Sequence, residues 1–223
     1  MRFSKDALLL YAVTDRGWVG KRTLYEQLED ALKGGVTMVQ LREKNLAADA
    51  LASEALRVKA LCHGYHVPLI INDFADTALR CGADGVHVGV EDAPIAEIRK
   101  KAGPHFIIGA TAKTVEQARA AEKAGADYLG VGAVFPSPTK QHAIRITTQT
   151  LREICRSVSI PVVAIGGISL DNVMELSGCG MDGIAVVSAL FAADNIMSTA
   201  ARLKEKAQAV TLKAGLAERR SSG

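Results

Sequence analysis

The sequence predicts an α/β protein, a single-domain (β/α)8 TIM barrel, and three observations carry that reading. The first is composition: 48% of the 223 residues are hydrophobic but only 4% are aromatic. A core of Val, Ile, Leu and Ala is the profile of buried parallel strands covered by Ala-rich helices. The second is an internal repeat marked by glycine. Lys33-Gly34-Gly35-Val36-Thr37, Cys81-Gly82-Ala83-Asp84, Ala124-Gly125-Ala126-Asp127 and Cys179-Gly180-Met181-Asp182 each lead into a buried apolar run. Each reads as a helix ending at a glycine, a short turn, then a strand. The third is that the repeat spacing exceeds one βα unit of about 30 residues, and a strand of a second type sits in each gap.

In chain order, Ala7 to Val13 is an apolar run ending at Thr14-Asp15, with the first strand over Leu8 to Thr14. It is too short to span a membrane and lacks a signal-peptide cleavage pattern, so it reads as the first strand. An amphipathic helix over Leu24–Lys33 leads to strand two, Met38 to Leu41. A helix over Ala47–His63 precedes Pro68 to Asn72, a strand introduced by proline. Phe74–Arg80, the strand Gly85 to Val88 and the helix Ile95–Ala102 follow. Phe106 to Thr111, after Pro104, is strand five, and Val115–Ala124 leads to strand six at Tyr128 to Val131. A long loop from Gly132 to Lys140 precedes the helix Thr147–Ser157. Pro161 to Ile165, a helix over Asn172–Ser177, Gly183 to Val187 and a last helix from Ile196 to about Lys213 complete the set. Eight βα units with right-handed crossovers close a barrel over residues 1–214; a doubly wound open sheet is the runner-up. Residues 215–223 are small and polar and are expected to form a disordered tail.

Net charge is +3, too small to imply nucleic acid, and no basic stripe interleaves with aromatics. The four cysteines, Cys62, Cys81, Cys155 and Cys179, have no metal-ligand spacing. Reduced thiols in a cytoplasmic protein are expected, with no membrane partner. A homo-oligomer is left open.

Chemistry on this fold sits at the C-terminal ends of the strands. Strand two runs out through Gln40-Leu41-Arg42-Glu43-Lys44, where Gln40, Arg42 and Lys44 share one parity and Glu43 the other. A guanidinium, an ammonium and an amide on one side suit a ligand with several anionic oxygens; a solvated strand end is the alternative. By parity, Glu43 should point away and serve structure. Strand three ends at Asn72-Asp73, strand four leads through His87 to Glu91-Asp92, and strand five ends at Thr111. Gly166-Gly167 and Val187-Ser188 follow strands seven and eight, where backbone N–H groups of barrel enzymes often hold a phosphate; a tight turn is the alternative. Asp73 and Asp92, on neighbouring strands, suggest Mg²⁺ shared with phosphate oxygens, although Asp92 could equally cap a helix beginning near Pro94. His87 is expected to line the barrel as a neutral, hydrogen-bonded residue.

Tyr11-Ala-Val-Thr-Asp15, Gln40 to Lys44, Ile71-Asn-Asp73, Gly85-Val-His-Val-Gly89 with Glu91-Asp92, Ala126 to Gly132, Phe135-Pro-Ser-Pro-Thr-Lys140, Val163-Ala-Ile-Gly-Gly-Ile168 and Ala185-Val-Val-Ser188 together resemble the thiamine phosphate synthase family, in order and in spacing. That family joins hydroxymethylpyrimidine diphosphate to a thiazole phosphate, releasing diphosphate and forming thiamine phosphate. The resemblance implies that Gln40, Leu41, Arg42, Glu43, Lys44 and Asn72 contact the pyrimidine diphosphate and that Asp73 and Asp92 bind Mg²⁺. It puts Thr111 near the pyrimidine, where the family usually has serine. It implies that Ser137, Pro138, Thr139, Gly167, Val187 and Ser188 hold the thiazole phosphate, with Lys140 reaching the diphosphate. Arg42, Lys44, Thr111 and Lys140 form the implied catalytic set.

Three positions depart from the family pattern: Phe74 replaces an arginine, Val90 a glutamine, and Ser137-Pro138-Thr139 the commoner Thr-x-Thr. The expected chemistry is loss of diphosphate to a pyrimidinylmethyl cation, then capture by the thiazole nitrogen, with the segment Gln141 to Ile146 acting as a lid. A thiazole tautomerase and a non-catalytic thiamine phosphate sensor are the rivals. The tautomerase lacks the full diphosphate and Mg²⁺ set that this chain keeps.

Overall fold

The structure, a computed structural model, describes residues 3–20, 22–89, 92–137 and 144–220, with 212–220 as backbone only. Eight parallel strands close into a barrel in sequence order: β1 (Leu10–Val13), β2 (Met38–Leu41), β3 (Leu69–Asn72), β4 (Gly85–Val88), β5 (Ile107–Ala112), β6 (Tyr128–Gly132), β7 (Val162–Ile165) and β8 (Gly183–Val186). β1 pairs with both β2 and β8, which removes any free sheet edge. The expected (β/α)8 architecture is therefore the observed one, and an open doubly wound sheet is excluded.

The helices are α1 (Leu24–Lys33), α2 (Ala48–Gly64), α3 (Ala75–Arg80), α4 (Ile95–Ala102), α5 (Val115–Lys123), α6 (Thr148–Ser157), α7 (Ser188–Phe191) and α8 (Ile196–Arg220). Two of the helices expected from the sequence differ. The segment Asn172–Ser177 forms a 3₁₀ turn over Val173–Leu176, since a run this short gains little from α-helical bonding. Its Asn172 side chain serves the β7 loop instead of capping, accepting from Ser169 N at 2.9 Å and donating to Gly167 O at 2.9 Å. The last helix runs past Lys213 to Arg220, so 215–220 of the expected tail is helical. Gly215 inside it costs about 1 kcal/mol relative to alanine, against a local run of good helix formers.

Alternation along each strand divides the core in two. Leu10, Val39, Leu41, Ile71, Val86, Ile108, Leu129, Ala164 and Ile184 face outward and pack beneath the helices. Tyr11, Val13, Met38, Ile70, Ile107, Tyr128, Val163 and Ala185 fill the barrel interior. Interior space is tight around Tyr128 and His87. A methyl group on Gly109 would collide with the Tyr128 ring, and one on Gly130 would sit 2.9 Å from His87 Cε1.

The glycine-marked repeat has a physical basis at the N-terminal rim. Before β2, β4, β6 and β8, a side-chain oxygen accepts an N–H from the first or second residue of the preceding strand. Thr37 Oγ1 takes Leu10 N at 2.9 Å and Asp84 Oδ2 takes Leu69 N at 2.8 Å. Asp127 Oδ2 takes Ile108 N at 2.7 Å, and Asp182 Oδ2 takes Val162 N at 3.0 Å. Each of these residues also donates its own N–H back to the same strand residue's carbonyl. The pairs satisfy strand-end groups that the barrel would otherwise leave open, and they hold the end of the barrel away from the chemistry.

Candidate active site

Gln40 faces into the barrel, as alternation requires, and its Nε2 donates to Tyr11 Oη at 2.8 Å. Leu41 faces the opposite way and is fully buried among the outer core, so only its backbone lies near the mouth. The strand stops there, and the parity expected for Arg42 and Lys44 no longer follows from strand geometry. Arg42 is placed by bonds instead: its N–H donates to Thr14 Oγ1 at 2.9 Å, and Nη1 to Asp15 Oδ2 at 2.9 Å. Its side chain is 9% exposed, while Lys44 stands in solvent. Glu43 is 5% exposed and accepts from Arg16 Nε at 2.8 Å. Arg16 also reaches Glu54 at 3.1 Å, so Glu43 ties the β1–α1 loop to the start of the next unit.

At the end of β3, Asn72 is half-buried and donates through Nδ2 to Asp73 Oδ2. Asp73 adopts φ +64, a left-handed conformation that aspartate tolerates better than most residues. Its backbone N–H donates to His87 O at 2.8 Å, which joins it to β4. Asp92 closes the β4 loop: its Oδ2 accepts the Gly89 N–H. The cap of α4 is Pro94, with no side-chain hydrogen bond, so Asp92 organises the turn before that helix and does not cap it. Among the described residues, no three acidic, histidine or cysteine side chains gather to hold a metal. Asp73 and Asp92 put carboxylate oxygens on adjacent loops, the donor chemistry that a hard divalent cation takes. Phe74, the first departure, is 42% exposed beside Asp73.

Deeper in the mouth lies a chain of side chains from four further strands. Tyr11 Oη and Tyr128 Oη are 2.8 Å apart, Tyr128 Oη is 3.1 Å from His87 Nδ1, and His87 Nε2 is 3.1 Å from Thr111 Oγ1. Both tyrosines are buried, and burial pushes both phenols well above their usual range. They stay neutral and keep their protons. His87 is thus the hydrogen-bonded barrel-lining residue expected, and Thr111 is half-exposed at its outer end.

On the other side, Gly166 and Gly167 turn the chain after β7 with φ +99 and +68, values that favour glycine. A Cβ on Gly167 would collide with the carbonyls of Phe135 and Pro136, and Phe135 N donates to Gly166 O at 2.9 Å. The β7 turn and the β6 loop are therefore packed backbone to backbone, with half-buried Ser137 close by in sequence. Val187 packs on the barrel interior and precedes α7, which Ser188 begins. Its apolar side chain offers no cap, so the first N–H groups of α7 have no side-chain partner from that residue. The sequence reading missed this helix; the non-alternating run Ser188-Ala189-Leu190-Phe191 was its only signal. Val90, Glu91, Pro138, Thr139, Lys140 and the first half of the expected lid lie outside the described residues. The sequence reading placed Asp15 at the end of strand one but missed its pairing with Arg42, and it missed Tyr11 and Tyr128 as partners of the site.

A cavity of about 400 Å³ opens at the opposite, N-terminal face, beside Phe3, Thr37, Pro68 and Lys204. It holds none of the groups described above at the C-terminal ends of the strands, and barrel chemistry belongs at that other end.

The family model described as thiamine monophosphate synthase matches residues 10–190. The thiamine-phosphate synthase of Ruminiclostridium cellulolyticum is 48% identical over 202 residues, covering 91% of this chain and 96% of that protein. Thiamine-phosphate synthase 2 of Streptococcus pneumoniae is 46% identical over 86% of this chain and 92% of its own length. Among solved structures, the thiamine phosphate pyrophosphorylase of Pyrococcus furiosus superposes with a TM-score of 0.85 at 40% identity, covering 92% of this chain and 98% of that one. A 3-hexulose-6-phosphate synthase, at 17% identity and TM-score 0.68, shares the fold alone. The chain belongs to the thiamine monophosphate synthase family.

Proposed function

We propose that this chain is a thiamine phosphate synthase that joins 4-amino-2-methyl-5-hydroxymethylpyrimidine diphosphate to 4-methyl-5-(2-hydroxyethyl)thiazole phosphate or its carboxylated form, releasing diphosphate. One observation carries the reading beyond family membership. Arg42, Asp73, Asp92, Gly167 and Ser188 all follow the C-terminal ends of strands around one barrel mouth.

Arg42, oriented by Asp15, binds the diphosphate through its remaining guanidinium donors, and Lys44 adds a mobile cation. Lys140 is assigned to the same group by the family resemblance. Asp73 and Asp92 would hold Mg²⁺, which when bound neutralises charge on the leaving diphosphate. Gln40, Asn72 and Thr111, all of inward-facing strand parity, orient the pyrimidine. Gly167, Val187 and Ser188 hold the thiazole phosphate with backbone N–H groups and the Ser188 hydroxyl, together with Ser137, Pro138 and Thr139. Departure of diphosphate leaves a pyrimidinylmethyl cation, and the thiazole nitrogen closes the new C–N bond with its own lone pair. No proton has to be removed from either reacting atom, so catalysis is charge stabilisation and positioning. Free cysteines and a biosynthetic role fit the cytoplasm. No described helix is long and apolar enough to cross a membrane.

Incubation with both substrates and Mg²⁺, followed by oxidation to a fluorescent thiochrome, tests the reading. A synthase gives fluorescence that requires both substrates. A thiazole tautomerase or a thiamine phosphate sensor gives none.

A further inference from the structure

The four contacts from Gln40 to Thr111 form one unbroken chain across the barrel interior, and its chemistry gives it a direction. An amide nitrogen only donates, so Gln40 Nε2 gives a hydrogen to Tyr11 Oη. Tyr11 then has its own hydroxyl proton to give to Tyr128, 2.8 Å away. Tyr128, having accepted, gives its proton to His87 Nδ1 at 3.1 Å. A neutral imidazole that accepts at Nδ1 carries its hydrogen on Nε2, and that hydrogen goes to Thr111 Oγ1 at 3.1 Å. The Thr111 hydroxyl proton is the one left over. Reversing the His87 links would leave one buried phenol proton without an acceptor in the chain.

We propose that Tyr11 and Tyr128 are positioning residues whose hydroxyl pair sets the polarity of this chain. They fix His87 as its Nε2–H tautomer and make Thr111 a hydrogen-bond donor toward an acceptor on the bound pyrimidine. The inference deepens the synthase reading and rests on it for the identity of that acceptor. The glycines on the same strands support it independently. Gly109 and Gly130 leave room for the Tyr128 ring and the His87 ring, and any side chain there would displace one of them. Burial keeps both phenols protonated, so neither can become an acceptor only. Neither tyrosine touches the reacting atoms in this scheme; each acts through His87 and Thr111.

The test reads His87 directly. Protein with ¹⁵N-labelled histidine reports each imidazole tautomer by NMR, and His87→Gln identifies the His87 signals among the five histidines. The wild type is expected to show Nε2–H with Nδ1 accepting. Tyr128→Phe removes the donor to Nδ1, and Tyr11→Phe removes the link to Gln40. Both should shift the Nδ1 resonance and let the second tautomer appear. In turnover, each should raise KM for the pyrimidine diphosphate about tenfold, the effect of one lost hydrogen bond, with KM for the thiazole phosphate unchanged. A role confined to packing would leave the tautomer intact. If Tyr128→Phe fails to fold, Gly130→Ala serves, since its methyl would move the His87 ring and change the same signals. An Nδ1–H tautomer in the wild type, or His87 signals unmoved in every folded variant, overturns the proposal. If the wild type makes no thiamine phosphate while its His87 spectrum behaves as described, the synthase reading fails and the chain polarity stands.

Discussion

Arg42 Nη1 donates to Asp15 Oδ2 at 2.9 Å, so the guanidinium at the end of β2 is held by a carboxylate from the end of β1. Asp15 is itself fixed, since its Oδ1 accepts Gly17 N at 2.9 Å at the start of a 3₁₀ turn. An arginine anchored on one side keeps its other donors in a defined plane. Asp15→Ala should therefore raise KM for the pyrimidine diphosphate by about tenfold to a hundredfold, as for a lost hydrogen bond to a charged group. KM for the thiazole phosphate should not change. Steady-state kinetics with each substrate varied in turn gives the answer, and equal effects on both would contradict the assignment.

Asp92→Asn keeps an oxygen that can accept the Gly89 N–H while removing the charge. Asp73→Asn does the same beside Asn72. Each should lower turnover at saturating thiazole phosphate by about 3 to 4 kcal/mol, the size of one lost electrostatic contact at a reacting centre. The Mg²⁺ concentration giving half-maximal rate should rise. Activity in the wild type that persists without divalent metal would remove both residues from the metal role.

The N-terminal rim should matter for stability and not for turnover. Asp127 accepts Ile108 N and pairs with Arg99 Nη2 at 2.6 Å. Asp127→Ala leaves a strand-end N–H without its partner, so a loss of roughly 2 to 3 kcal/mol is expected. Urea unfolding measures it. Specific activity of the folded fraction should stay within about twofold, because barrel chemistry sits at the other face.

Burial raises the pKa of Cys62 to about 12, and it also raises those of Cys179, Tyr11 and Tyr128. A folded-state value above the unfolded one means stability that is complete below the unfolded value and lost as pH rises past it. The unfolded chain releases the Cys62 proton near pH 9 and the phenolic protons near pH 10, while the folded chain keeps them. Denaturation midpoints should be flat with respect to these groups up to about pH 8 and fall between about pH 9 and 12. Tyr11→Phe should make the fall shallower. A midpoint unchanged from pH 8 to pH 11 would contradict the burial of these groups.

Which parts of this were legible in the sequence follows from the range over which each signal acts. The eight strands were readable because glycine turns and apolar runs are local. The helix α4 and the strands β2 and β4 fall where their patterns end. Gln40 was placed by alternation, but the same rule was carried past Leu41, where the strand stops, and it cannot orient Arg42 or Lys44. Arg42 is oriented by Thr14 and Asp15, whose relation to it depends on strands β1 and β2 lying side by side. Asn172 looked like a helix start and instead serves the β7 loop. Tyr11 and Tyr128 are 117 residues apart, and only closure of the barrel brings their hydroxyls together.

The central claim is that this barrel mouth couples two phosphorylated substrates and expels diphosphate. Thiamine phosphate and diphosphate should be quantified together over time, with each substrate and Mg²⁺ omitted in turn. The account predicts one diphosphate for each thiamine phosphate, and neither product in quantity when any component is left out. Diphosphate released without coupling, or tight binding of thiamine phosphate by a protein that never forms it, would contradict it.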